Sequence, residues 1–140
     1  MLDPALAVQK AIRARLTGAS AVVALVSASS ILDRNERPAP SPSIILGEDQ
    51  VIDTGTMIDR SVVRVHSTIH IWKEEQGLTG VKAIAGAVWK AIKTGRLALD
   101  SGLVCGDCRV NDTRFIRDPD GVTSHGIVTV ETLVREVADA

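Results

Sequence analysis

From Ser61 to Trp72 the chain alternates, with Val63, Val65, Ile69 and Ile71 at odd positions and Arg64, His66, Thr68 and His70 at even ones. Successive side chains of an extended chain point to opposite sides, so this run predicts a long strand with one apolar and one polar face. Such a strand needs an apolar layer on one side only; its other side meets water or a partner. A second period supplies that layer. Between Gly77 and Thr94, Leu78, Val81, Ile84, Ala85, Val88, Trp89 and Ile92 recur at three- and four-residue steps and predict a long amphipathic helix.

The remaining segments fit around these two. Asp3 and Pro4 are a helix cap and a first helical residue. Leu6, Val8, Ile12 and Leu16 then share a helical face, Gln9, Lys10, Arg13 and Arg15 occupy the other, and Gly18 is the stop. Ser20 to Leu25 predicts a second short helix and Ile31-Leu32 a short strand. Three alternating prolines in Arg37 to Pro42 exclude a helix there. Ser43 to Gly47 is a compact apolar strand, and Glu48 to Arg60 a polar excursion or irregular hairpin. Two more strands are expected near Leu103–Ile116 and Val122–Val134. The Asp118-Pro119-Asp120-Gly121 sequence between them suits a type I turn closed by a left-handed glycine. The order predicts an α+β domain spanning residues 1–140: a mainly antiparallel sheet backed by helices, with an N-terminal helix and one long central helix.

Composition narrows the function classes. The 140 residues are 45% hydrophobic and 24% charged, which is globular, and the formal net charge of −1 offers no global basic field for nucleic acid. Aromatics are 2%, namely Trp72, Trp89 and Phe115, too few for a base- or sugar-stacking platform. Met1 to Pro4 has no basic, apolar leader pattern, and Ala19 to Val26 is too short to span a bilayer. A cytoplasmic protein with no membrane partner is expected.

Catalytic and metal patterns are weak. No phosphate-binding glycine loop or GxSxG elbow occurs, and the acidic pairs Glu74-Glu75 and Asp118/Asp120 fall in turns. His66 and His70 lie about 13 Å apart along one strand face at about 3.3 Å per residue, too far to share a metal directly. Cys105 and Cys108 form a lone CxxC that precedes a strand, not the helix start that activates a redox thiol. No second Cys/His pair completes a zinc site. The expectation is no enzyme, no cofactor and no metal, with a small ligand- or metal-binding domain built on His66, His70 and the CxxC as the reading from another class.

Several local sequences, in order, resemble the tail-completion or tail-terminator proteins of long-tailed phages and gene transfer agents. They are the opening helix Leu6–Leu16, Ile31-Leu32-Asp33-Arg34 with its proline stretch, Ser43-Ile44-Ile45-Leu46-Gly47-Glu48, and the strand ending Ile69-His70-Ile71-Trp72. The helix after Gly77 follows, then Arg117-Asp118-Pro119-Asp120-Gly121 and His125-Gly126-Ile127-Val128. Ser43 departs from the pattern, which often has an aromatic there. The resemblance implies a structural virion protein: a homohexameric ring on the head-proximal end of the tail tube that ends tube polymerisation and joins the tail to the head. Its expected partners are itself, the tail-tube protein and the head-side connector or stopper, with DNA passing through the lumen unbound. A head-side stopper ring is the alternative within the particle. Candidate interface residues are Glu48, Asp49, Asp53, Asp59 and Arg60 in the excursion, Arg64, His66 and His70 on the polar strand face, and Arg117, Asp118 and Asp120 at the hairpin tip. The lumen is expected to be acidic or neutral, since a basic one would hold phosphates. Residues 100–140, with four basic residues against eight acidic ones, are a candidate contributor.

Overall fold

The computed structural model describes residues 3–33, 40–100 and 102–137. Arg34 and most of the proline stretch, residues 37–39, lie outside the described residues. The chain begins with helix α1 (Pro4–Thr17), whose Asp3 carboxylate accepts from the Leu6 N–H, and a four-residue helix α2 (Ser20–Val23). A 3-10 turn (Ala28–Ser30) leads into β1 (Ile31–Leu32). Then come β2 (Ser43–Asp53), β3 (Val62–Glu74), α3 (Thr79–Lys93), β4 (Leu103–Arg117) and β5 (Thr123–Glu136). The five strands form one sheet in the order β1-β2-β3-β5-β4, antiparallel except for the short β1–β2 pair. The α+β architecture expected from the sequence is present.

The helices lie on one side of this sheet. Val65, Ser67, Ile69 and Ile71 of β3 point into that layer, with Ile44 and Leu46 of β2 and Val128, Val130 and Val134 of β5 beside them. Against them pack Val8, Ile12 and Leu16 of α1 and Val81, Ile84, Val88 and Ile92 of α3. Burying each such side chain stabilises the fold by about 1.5–3 kcal/mol. Nothing comparable covers the opposite face among the described residues.

Both ends of α3 are satisfied from elsewhere in the chain. At its N-terminus the Glu75 carboxylate accepts from the Gly80 and Val81 N–H groups and from the Ser124 hydroxyl of β5. At its C-terminus the Arg15 guanidinium donates to the carbonyls of Ala91 at 2.8 Å and Gly95 at 3.2 Å, and to that of Arg96 at 2.9 Å. A cation on terminal carbonyls is what the helix dipole favours.

Three expectations need correction. Leu6 is 44% exposed instead of lining the core, and the core-facing residue in its turn is Ala7. Arg15, expected on the wet side of α1, is half-buried because α1 crosses the end of α3. Trp89 is 45% exposed, and the Lys93 ammonium sits 4.0 Å over its ring; it lies at the rim of a stripe whose centre is Val81, Ile84, Val88 and Ile92.

Candidate functional site

The uncovered sheet face gathers the polar residues of three strands. Glu131 on β5 stands beside His66 of β3 and Arg109 of β4 in the pairing register. Its carboxylate accepts from Arg64 at 2.8 Å and from Arg109 at 3.1 Å. Only 10% of the Glu131 side chain is exposed, against 47% and 61% for the two arginines. Hydrogen bonds from Arg109 and then Arg64 outweigh burial and hold the Glu131 carboxyl below its ordinary value.

Toward the other end of the same face three rings stack. Trp72 and His125 lie 3.7 Å apart between centroids and within 10° of parallel, and His70 follows at 5.0 Å from His125. His70 Nδ1 and His125 Nε2 are 2.8 Å apart, so one ring donates and the other accepts. His70 Nε2 is 3.2 Å from a Glu48 carboxylate oxygen. Burial, and secondarily the neighbouring His70, lower the His125 pKa to about 4. Glu48 lies in the β-bulge between Leu46 and Asp49. A Cβ at Gly47 in that bulge would sit 2.7 Å from the His70 ring and 3.2 Å from the Thr68 carbonyl, so a larger residue there would displace the ring. Hydrogen bonding within its own backbone, and then to His70, lowers the Glu48 pKa.

Beyond the bulge, β2 departs from expectation. Asp49 to Asp53 is regular strand, paired through Asp49–Ser67 to Asp53–Val63, so the excursion shortens to the turn at residues 54–61. In that turn Asp53 accepts from the Gly55 N–H at 2.7 Å and lies 3.8 Å from the Arg60 guanidinium. Asp59 accepts from the Ser61 N–H, and hydrogen bonds from Ser61 lower its pKa. Loss of hydration raises the Asp49 pKa. At the opposite hairpin Gly121 has a φ of +76° and donates to the Asp118 carbonyl at 3.0 Å, as the turn sequence requires. Asp118 accepts from the Asp120 N–H, and Asp120 accepts from the Thr123 hydroxyl and the Val122 N–H, which lowers its pKa. Arg117 donates to the Gln76 carbonyl.

The structure therefore joins Glu48 to His70 and Asp53 to Arg60, leaves His66 and His70 apart, and puts Arg117, Asp118 and Asp120 some way off on the β4–β5 turn. It also adds Trp72, Arg109, His125 and Glu131. Alternation along the last strand sets Glu131 on the side away from Val128, Val130 and Val134; only the strand register shows its arginine partners. Cys105 is buried and Cys108 half-buried, both in β4. Burial pushes the Cys108 thiol up, which makes it a poor nucleophile.

The model of the tail completion protein gp17 family matches residues 10–135. The chain belongs to that family. No curated protein matches the sequence. Among solved structures, a chain in the virion of a native gene transfer agent particle superposes with a TM-score of 0.83 at 20% identity, over 96% of this chain and 99% of that one. The bacteriophage SPP1 gp17 protein superposes with a TM-score of 0.59 at 19% identity, over 96% and 91%. Both share the fold. A tail completion protein works in the tail of a virion, and the open sheet face and the two hairpin tips are the largest polar surfaces described for this tail completion protein.

Proposed function

We propose that this tail completion protein is a tail terminator: it forms a homohexameric ring on the head-proximal end of the tail tube, stops tube growth and presents the docking surface for the head-side connector. The observation that carries this is the one-sided sheet. Five strands up to 15 residues long are covered by helices on one face only, and the other face combines ion pairs and stacked rings with the exposed apolar side chains of Ile52, Val104 and Ile116. A face so ordered has little to gain in a free monomer and suits a subunit with neighbours. Its role is structural, with DNA passing through the ring without specific contacts. The candidate interface residues divide accordingly: Arg64, His66 and His70 on the open face, Glu48, Asp49, Asp53, Asp59 and Arg60 on the β2–β3 arm, and Arg117, Asp118 and Asp120 at the β4–β5 tip.

Native mass spectrometry of the protein alone and mixed with its tail-tube protein tests the reading. A hexamer in either condition supports it. A monomer that ignores the tube protein and instead binds the portal adaptor would transfer the chain to the stopper role, and a monomer in every mixture would remove the ring.

A further inference from the structure

The charges of this chain are sorted by element. Helices α1 and α3 carry Lys10, Arg13, Arg15, Lys82, Lys90 and Lys93 and not one acidic residue. In α3 the usual explanation for basic residues near a helix C-terminus is already taken, because Arg15 occupies the terminal carbonyls. Lys82, Lys90, Lys93 and the following Arg96 are exposed, and of these Lys93 sits 4.0 Å over the ring of Trp89, the exposed tryptophan. At Gly86, one turn before Trp89, a Cβ would meet nothing within 4 Å, so the surface beside the ring is open. An exposed tryptophan is the residue type most often found as an interface anchor, and the lysines beside it give that face a positive charge.

The β2–β3 arm has the converse character. Ile44 and Leu46 are covered, but Asp49, Val51 and Asp53 are exposed although they face the same side, because β1 pairs only as far as Ile45 and β2 is the sheet edge beyond it. Glu48, Asp49, Asp53 and Asp59 against Arg60 make it acidic. At its tip Met57 is 45% exposed and Ile58 97% exposed. The turn that presents them is held by local bonds: Gly55 N–H to Asp53, Thr54 to Thr56 hydroxyl at 2.7 Å, Arg60 N–H to the Met57 carbonyl at 3.0 Å. A fixed turn that displays isoleucine to water is an anchor ordered before binding.

We infer that the acidic arm of one subunit, led by Ile58, docks on the basic Trp89 face of α3 in a second copy of this chain. The two patches are opposite in charge, both apolar at their centres, and different from each other. A contact between unlike patches is heterologous, and that is the type a ring closes with. The inference rests on the ring reading and names its interface.

Two variants test it, each altered at exposed positions: Ile58→Asp at the tip, and Trp89→Glu on the helix. Circular dichroism melts should match the wild type. Each variant alone should associate about thirty-fold more weakly or worse, as expected for loss of a hot spot. Mixed one to one, they should form a heterodimer and go no further, because the mixture holds one intact arm and one intact face per pair. Should Trp89→Glu melt early, the double variant Lys90→Glu, Lys93→Glu replaces it with the ring of Trp89 left in place. Rings of wild-type size and affinity from Ile58→Asp would overturn the inference and leave the terminator reading standing. A wild type that forms no ring alone or on the tube protein would remove both.

Discussion

The two faces of β3 are built from neighbouring residues and held by different physics. On the inner face Val65, Ile69 and Ile71 are at most 1% exposed, packed under α1 and α3. On the outer face Arg64 bonds Glu131, and His70 links Glu48 to His125. Burial is non-directional and tolerates neither charge nor voids. The outer contacts are directional, carry charge, and respond to protons and salt. One strand thus separates the part of the molecule that decides whether it folds from the part that is left without a helix layer.

The sharpest way to break this division is to put a charge on the wrong face. Val65→Asp or Ile71→Asp would bury an unpaired carboxylate and should cost more than about 4 kcal/mol, enough to abolish the cooperative thermal transition. His66→Ala, one residue from Val65 but on the outer face, should change stability by about 1 kcal/mol or less. Comparable melting curves for the two classes of variant would show that the faces are not distinct.

Acid should reach the outer face first. His125 is neutral in the fold, with a pKa of about 4 caused mainly by burial, whereas in the unfolded chain it titrates near the ordinary 6.5. Between those values the unfolded chain binds a proton that the folded one refuses. Stability is therefore complete above about pH 6.5, falls as the pH drops toward 4, and loses nothing further from this residue below that. The loss is on the order of 3 kcal/mol at most. The Glu48 carboxyl, held below its ordinary value, gives way only at lower pH. Melting temperature measured from pH 7.5 to 4 should decline in the wild type and stay flatter in His125→Phe, which keeps the stack on Trp72 and cannot ionise. Parallel profiles would exclude His125 as the source.

How much of this was legible in the sequence follows from what periodicity reports. Alternation in Ser61–Trp72 assigned each side chain to a face, and the Asp118–Gly121 sequence specified its own turn, because both are local properties. Contacts between strands are not local. Which residue stands opposite Glu131 depends on the β3–β5 and β4–β5 registers, and irregularities at Cys105/Asp107 and Val110/Asp112 shift the second of these without a pattern in the sequence. The strand over Asp49–Asp53 is hidden in the sequence for a related reason. Its polar residues suggest a loop, yet a strand at the sheet edge is wet along its open side and needs no strict alternation. Arg15 was assigned to solvent because helical spacing reports its face and not the end of α3 that crosses it.

The finest division lies within the outer face, at Glu131. Its carboxylate is nearly buried while both arginines keep much of their exposure, so its hydrogen bonds are shielded on one side only. Glu131→Gln keeps the size and one acceptor oxygen but removes the charge that draws Arg64 and Arg109 together across three strands. A loss of about 1–2 kcal/mol follows from two charge-assisted bonds made neutral on the acceptor side. The same loss should appear in the wild type as the pH falls through the lowered Glu131 pKa, since the stabilising form is the carboxylate. Raising salt to about 0.5 M should narrow the difference between variant and wild type, because the arginine ends of the network are open to counterions. A difference that salt leaves unchanged would mean that Glu131 acts through packing, and the outer face at that point would then be held in the same way as the inner one.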